Sequence, residues 1–409
     1  MTYTHQNTCR VCGGSDVTKF LSLGEHPPVD NFVAPTAVGD EKRYPLEVYF
    51  CNTCKLVQLV DVVDADELFH TAYAYFSSAS KPLVDHFRSY AEDIKKRYIQ
   101  SGDLVIDIGS NDGVLLQFFT DTARVLGIEP SENVAEVARQ KGVDTVSGFL
   151  TTGMAEDIVK KYGKAKVVTA NNVFAHIDNL DEIVRSVHAL LTDDGVFVSE
   201  SHYLLDLIEH AEFDTIYHEH LCYYSVRPLQ HLFARFGMEV FDVERVPTHG
   251  GSIRVYARRA SGEPISDSVQ QLLQLEERAG LYSRERFDTF QTQVNAIRDR
   301  LVSLVRGFRA EGKTVVGYGA PAKGNTLLNF CGFTAADLAY ITDTTPYKIG
   351  LLTPGSHIPV VSPDILQQET PDYVLLLAWN YRDFILEKEK ALRERGAKFI
   401  IPIPKVEVV

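Results

Sequence analysis

Val105-Ile-Asp-Ile-Gly-Ser-Asn-Asp-Gly113, with Ile128-Glu129-Pro130 after it, decides how this chain reads. The mostly apolar run 104–108 has the length and composition of a buried strand. It breaks at the turn 109–113, and the apolar stretch 114–119 is expected to continue as a helix. Glycines at such a turn let the backbone approach a ligand, and a helix N-terminus offers free N–H groups. A second strand, 124–128, leads to Glu129, where a carboxylate can accept both hydroxyls of a ribose. The turn is not G-x-G-x-x-G, and Asp107 and Asp112 stand where a pyrophosphate would sit. A nucleoside carrying positive charge suits this turn better than a dinucleotide.

Outward from this turn, strand and helix patterns alternate, with further strands expected at 166–170 and 195–199. Such alternation predicts a parallel, doubly wound α/β sheet. Two later strands, 239–243 and 252–257, are placed to add an antiparallel edge. Before the sheet, a helix over 80–97 carries Leu83, Val84, Phe87, Tyr90, Ala91 and Ile94 on one face, with Pro82 near its start. A longer helix, 284–309, carries Phe287, Val294, Leu301 and Phe308 at heptad spacing. Dimerisation and packing between two domains both fit that stripe, and packing is the simpler reading. The last hundred residues repeat the α/β rhythm. There Gly317-Tyr-Gly319-Ala-Pro-Ala322 matches G-x-G-x-x-A, and Asp343 ends the next strand, so a nicotinamide cofactor is a rival reading. Lys323 and Asn325 in the same segment are candidates to hold a phosphate. The resulting division is 1–75, 76–283, a linking helix at 284–310, and a Rossmann-like lobe at 311–409.

The net charge of −14 over 409 residues argues against nucleic-acid backbone binding, which needs clustered Lys and Arg. No apolar run is long enough for a membrane span, and the first residues lack the pattern of a signal peptide, so a cytoplasmic protein is expected. Four of the six cysteines form two pairs, Cys9-x-x-Cys12 and Cys51-x-x-Cys54. Thiolates at that spacing grip one tetrahedral Zn²⁺ from two turns, and four protein ligands leave no open position for catalysis. The long interval 13–50 predicts a hairpin between the two turns. Cys222 and Cys331 read as core thiols.

The densest polar cluster is Asp214-Thr-Ile-Tyr217-His218-Glu219-His220-Leu-Cys-Tyr223-Tyr224-Ser225, just beyond the fourth strand of the sheet. Loops after the carboxyl ends of such strands border the ligand crevice. His220 suits a general base near neutral pH, with Glu219 or a tyrosine setting its orientation. His218 and His220 would share a face in a strand and diverge in a helix. A metal pair and plain structural histidines are the competing readings. Asn171-Asn172-Val-Phe-Ala-His176 ends the third strand of the sheet, and Tyr73-Ala-Tyr75 lies in an aromatic link ahead of it. Arg254, in His249-Gly-Gly-Ser-Ile-Arg254, is a further candidate for a phosphate.

The segment 105–113 resembles motif I of class I S-adenosylmethionine-dependent methyltransferases. The whole succession goes further: the cysteine unit, this motif, Asn171 to His176, Tyr217 to His220, His249 to Arg254, and Gly317 to Asn325. It resembles three-domain sugar C-methyltransferases that act on nucleotide-linked 4-keto-deoxysugars, and the resemblance covers essentially the whole chain. It implies an S-adenosylmethionine donor held by Asp107, Gly109, Asn111, Asp112, Gly113, Glu129, Asn171 and Asn172. It implies a sugar nucleotide, commonly of thymidine, between the central domain and the C-terminal lobe. It points to His220 as base, with Tyr217, Glu219, His176 and Tyr75 around the sugar. Methylation at C3 is the leading expectation. The same groups would serve C5, and an NAD(P)-dependent oxidoreductase or epimerase is the competing class. Neither nucleic acid nor membrane is expected as a partner, and the chain is expected to be a monomer or homodimer.

Overall fold

The parallel sheet expected around the Val105 strand is present in the computed structural model, which describes residues 3–39, 41–68 and 76–409. Its seven strands run in the order Met238–Val246, Ser252–Arg259, Leu191–His202, Ala165–Asn171, Leu104–Ile108, Arg124–Glu129, Thr145–Ser147. The five strands from Leu191–His202 to Thr145–Ser147 are parallel neighbours. Ser252–Arg259 pairs antiparallel on both sides. The chain reverses direction across the sheet between Leu104–Ile108 and Ala165–Asn171, the switch point where ligands bind in open α/β sheets. All five side chains of Leu104–Ile108 are buried, as a strand covered on both faces requires.

The helix expected at 114–119 is instead a short 3-10 turn, Leu116–Phe118. Val114, Leu115, Leu116 and Phe119 are all buried and only Gln117 is exposed, so the polar side is too narrow for an amphipathic helix. The turn at 109–113 therefore lacks the helix N-terminus expected of it. The Lys81–Tyr98 helix does form and buries Leu83, Phe87, Tyr90, Ala91 and Ile94.

Around the cysteines, Val17–His26 and Tyr44–Cys51 pair antiparallel between the two knuckles. Val57–Leu59 and then Cys222–Tyr223 extend this to a four-stranded sheet, so the loop that carries His220 contributes a strand to the N-terminal unit. The helix Arg284–Ala310 buries Phe287, Phe290, Val294, Ile297, Leu301 and Val305. Phe287 stacks on Phe20 at 4.3 Å between ring centroids and meets Phe50 at 4.8 Å. Phe308 stacks on Tyr373 of the C-terminal lobe at 3.6 Å. The stripe is thus spent on packing within the chain. The C-terminal sheet has six strands, ordered Val360–Val361, Ile341–Thr342, Val315–Tyr318, Tyr373–Leu376, Lys398–Ile401, Glu407–Val408, all parallel but the last. No helix among the described residues is long and apolar enough to cross a membrane.

Candidate active site

The four cysteines converge as their spacing requires. Their Sγ atoms all lie within 4.8 Å of one another, with Cys9–Cys54 at 3.4 Å and Cys12–Cys51 at 3.6 Å. Sulfurs about 2.3 Å from one tetrahedral Zn²⁺ would lie roughly 3.8 Å apart, so the set fits that ion. Each knuckle closes on a backbone bond, Gly13 N to Cys9 O at 2.8 Å and Lys55 N to Cys51 O at 3.0 Å. Gly13 and Lys55 both take positive φ there.

At the switch point, the turn at 109–113 is held by Glu129. Its Oε2 accepts from the Asn111 N–H at 3.0 Å and its Oε1 from the Ser131 N–H at 2.9 Å. Asp107 accepts from the Thr169 hydroxyl at 2.5 Å, and burial pushes its carboxyl up to about 7. Burial raises Glu129 as well. Asp112 pairs with Lys141 at 2.6 Å through Oδ2, while its Oδ1 and the Ser110 hydroxyl have no hydrogen-bond partner among the described residues. Asp107 and Glu129, buried carboxylates with no ion pair among the described residues, fit a cationic nucleoside such as S-adenosylmethionine. Gly109 sits at φ +65, and a Cβ there would come 2.4 Å from the Val173 methyl Cγ2. Gly109→Ala is therefore expected to displace the turn or the 171–176 segment. Calorimetry with S-adenosylhomocysteine should show Kd raised about tenfold or more, roughly 1.4 kcal/mol. An unchanged Kd would remove the turn from the donor site.

Next to this turn, the segment 171–176 carries His176, and the 213–223 loop carries His220 against it. The two imidazoles meet edge to face at 4.9 Å, and His202 lies 5.1 Å from His220. Tyr217 lies 3.9 Å from His220, ring to ring. The His220 Nδ1 is 2.8 Å from the Thr215 carbonyl oxygen. A carbonyl only accepts, so Nδ1 carries the proton and the basic lone pair sits on Nε2. The orienting group is thus a backbone carbonyl rather than the Glu219 carboxylate, and no side-chain motif encodes it. His218 diverges from His220. It lies 3.3 Å from the Pro45 carbonyl, edge-on to Tyr44, and burial lowers it to about 4.

Burial also lowers His176 to about 4, against a smaller upward pull from the Asn172 backbone. The ring is therefore neutral at physiological pH. Glu219 is buried, its Oε2 has no partner among the described residues, and burial pushes it up to about 8. Burial thus favours its protonated form, which is a donor. Tyr75 lies outside the described residues.

Arg254 corrects the phosphate assignment. It is buried, its Nε and Nη2 donate to Glu200 Oε2 at 3.0 and 2.8 Å, and its guanidinium lies 4.1 Å over the Tyr90 ring. His86 reaches the other Glu200 oxygen at 2.7 Å. The guanidinium neutralises a buried carboxylate and is not available to a ligand.

The C-terminal lobe closes over the same loop. Trp379 Nε1 donates to Asp214 Oδ2 at 2.6 Å, and Thr326 Oγ1 to the Ile216 carbonyl at 3.3 Å. Asn325 Nδ2 donates to the Val29 carbonyl of the N-terminal unit at 2.7 Å, and its Oδ1 has no partner among the described residues. Lys323 Nζ likewise has none; it stands 4.6 Å over the Trp379 ring, lowered by burial against the pull of Asp214 and Glu212. The Gly-rich turn at 317–322 offers a pyrophosphate fewer backbone donors than its sequence suggests. Asp343 accepts the Ala320 N–H at 2.7 Å, and Pro321 has no N–H to offer.

The comparisons agree with this layout. Residues 9–69 match a zinc binding domain family, residues 84–243 a methyltransferase domain family, and residues 247–404 the C-methyltransferase C-terminal domain family. Over 405 residues the chain is 38% identical to the C-methyltransferase NovU of Streptomyces niveus, spanning 98% of this chain and 96% of that one. Among solved structures, the CcbJ methyltransferase from Streptomyces caelestis overlaps 46% of this chain and 95% of its own at 15% identity and a TM-score of 0.36. Magnesium protoporphyrin IX methyltransferase (ChlM) from Synechocystis PCC 6803, with bound S-adenosylmethionine, overlaps 44% of this chain and 78% of its own at 16% identity and a TM-score of 0.32. With its zinc-binding, methyltransferase and C-terminal domains in that order, the chain belongs to the S-adenosylmethionine-dependent C-methyltransferase family.

Proposed function

We propose that the protein methylates C3 of a nucleotide-linked 4-keto-deoxysugar, a thymidine diphosphate sugar being the expected substrate. The observation that supports this most is the Nδ1-protonated tautomer of His220, packed against His176 in a loop that pairs with the N-terminal unit and meets the C-terminal lobe. A ketone at C4 acidifies the neighbouring C–H. His220 Nε2 takes that proton, the C–H electron pair becomes the enolate double bond, and the carbonyl π pair moves to oxygen. S-adenosylmethionine, when bound, supplies a methyl group on a sulfonium for the enolate carbon to accept. Protonated Glu219 and the Tyr217 hydroxyl are the donors suited to the enolate oxygen, each worth roughly 3 kcal/mol when aimed at developing charge. His176, packed edge to face on His220, is assigned to the surroundings of the sugar. Lys323, from the C-terminal lobe, is assigned to the nucleotide diphosphate; the Asn325 amide, expected there too, is instead given to the Val29 carbonyl, and its unpaired Oδ1 accepts only. A homodimer or a monomer in the cytoplasm would serve this chemistry equally.

The proton-transfer half can be tested alone. With S-adenosylhomocysteine in the donor site and the ketosugar in D₂O, C3 should take up deuterium; no uptake would count against the enolate route. Glu219 sets the alkaline limit. Its acid form, held below about pH 8, is the donor, so activity should fall above that pH with a slope approaching tenfold per unit. Glu219→Gln keeps a donor that does not ionise, and should retain activity at pH 9 relative to pH 7. A Gln variant with the wild-type alkaline limb would assign that limb to another group.

A further inference from the structure

The zinc knuckles are wired into the two segments that carry the histidines. Val57–Leu59, which follows the second knuckle, pairs antiparallel with Cys222–Tyr223, and Leu59 N donates to the Leu221 carbonyl at 3.0 Å. Leu221 N in turn donates to the Ala175 carbonyl at 2.8 Å. One residue after His220 is thus clamped between the metal unit and the residue before His176.

The first knuckle reaches the same place through Arg10, which lies between Cys9 and Cys12. Its side chain is only 2% exposed. Its backbone N–H donates to the buried Gln58 side chain at 3.0 Å, and its Nη1 donates to the Leu59 carbonyl. Its Nε donates to Asp178 Oδ1 at 2.8 Å, in the chain just beyond His176. Gln6 adds a second donor to Asp178, at 2.8 Å from Oδ1.

We infer that Arg10 is a positioning residue, which couples the zinc knuckles to the spacing of His220 and His176 through Asp178 and Leu59. The metal unit then sets catalytic geometry, beyond holding its own hairpin together. This rests on His220 being the base. A misplacement near 1 Å at reacting groups costs roughly a hundredfold in rate, so a small relaxation of this clamp should be visible in kcat.

The test uses the full chain with zinc bound and two variants, Arg10→Lys and Asp178→Asn. Asp178 is 45% exposed, so its variant tests the link even where the Arg10 variant fails to fold. Deuterium wash-in at C3 of a thymidine-diphosphate-linked 4-keto-6-deoxyhexose, and kcat for methylation, should each fall roughly ten- to hundredfold. KM for the sugar, Kd for S-adenosylhomocysteine and zinc content should stay within about twofold, the latitude of an undisturbed site. The double variant should be no slower than the slower single one, because both act through one link. Wild-type wash-in in Asp178→Asn would overturn the proposal. So would a loss that comes with lost zinc or weakened donor binding, since that is general destabilisation. Failure of the underlying reading shows separately: His220→Ala that keeps wash-in removes the base assignment whatever Arg10 does.

Discussion

His220→Ala should lower kcat by on the order of 10²–10⁴, the usual contribution of a positioned base. The Kd of S-adenosylhomocysteine should stay near the wild-type value, because the donor turn is held by Glu129 and not by the imidazole. His220→Asn is the sharper variant. An asparagine retains an N–H donor for the Thr215 carbonyl but brings no basic nitrogen, so it should be as slow as alanine while folding like wild type. Deuterium wash-in at C3 should vanish in both. Retained wash-in in either would transfer the base to another group, and His202, 5.1 Å away, is the first to examine.

Removing the metal should have the larger effect on stability. A structural zinc site contributes about 10 kcal/mol or more of apparent binding energy, and most of it is folding energy of its domain. Cys54→Ser, or a strong chelator at elevated temperature, should lower Tm by roughly 10 °C or more. The loss should not be confined to the hairpin, because the same four-stranded sheet contains Cys222–Tyr223 and packs Phe20 and Phe50 on the long helix. Methylation should therefore fail together with the N-terminal unit. A metal-free protein with wild-type Tm and turnover would make the cysteine cluster dispensable.

The parts of this molecule legible in sequence are those written in local pattern. The Val105 strand and its turn, the heptad stripe of the 284–310 helix, and the paired cysteines all carry their meaning within a short window. The 3-10 turn at Leu116–Phe118 was not legible, because five apolar residues around Gln117 look the same whether one side or most of the circumference is buried. Arg254 was misread for a related reason. A cation in a turn-to-strand segment looks available until Glu200 and His86, remote in sequence, are seen to close around it. The Thr215 carbonyl that sets the His220 tautomer is a backbone atom and leaves no residue signature. Nor does a two-residue strand, Cys222–Tyr223, that joins the sheet of another domain. Asn325 stood out as a polar residue in a Gly-rich segment, but its partner, the Val29 carbonyl, is fixed only once the three domains meet.

The most direct measurement is the mass of the product formed from S-adenosylmethionine and a panel of nucleotide-linked 4-keto-6-deoxysugars, run beside the matched 4-hydroxy sugars. The account predicts a gain of one methyl group by ketosugars alone, with NMR placing it on C3. Methylation of the hydroxy sugars as well would mean transfer to oxygen, and would contradict the enolate route on which the role of His220 depends.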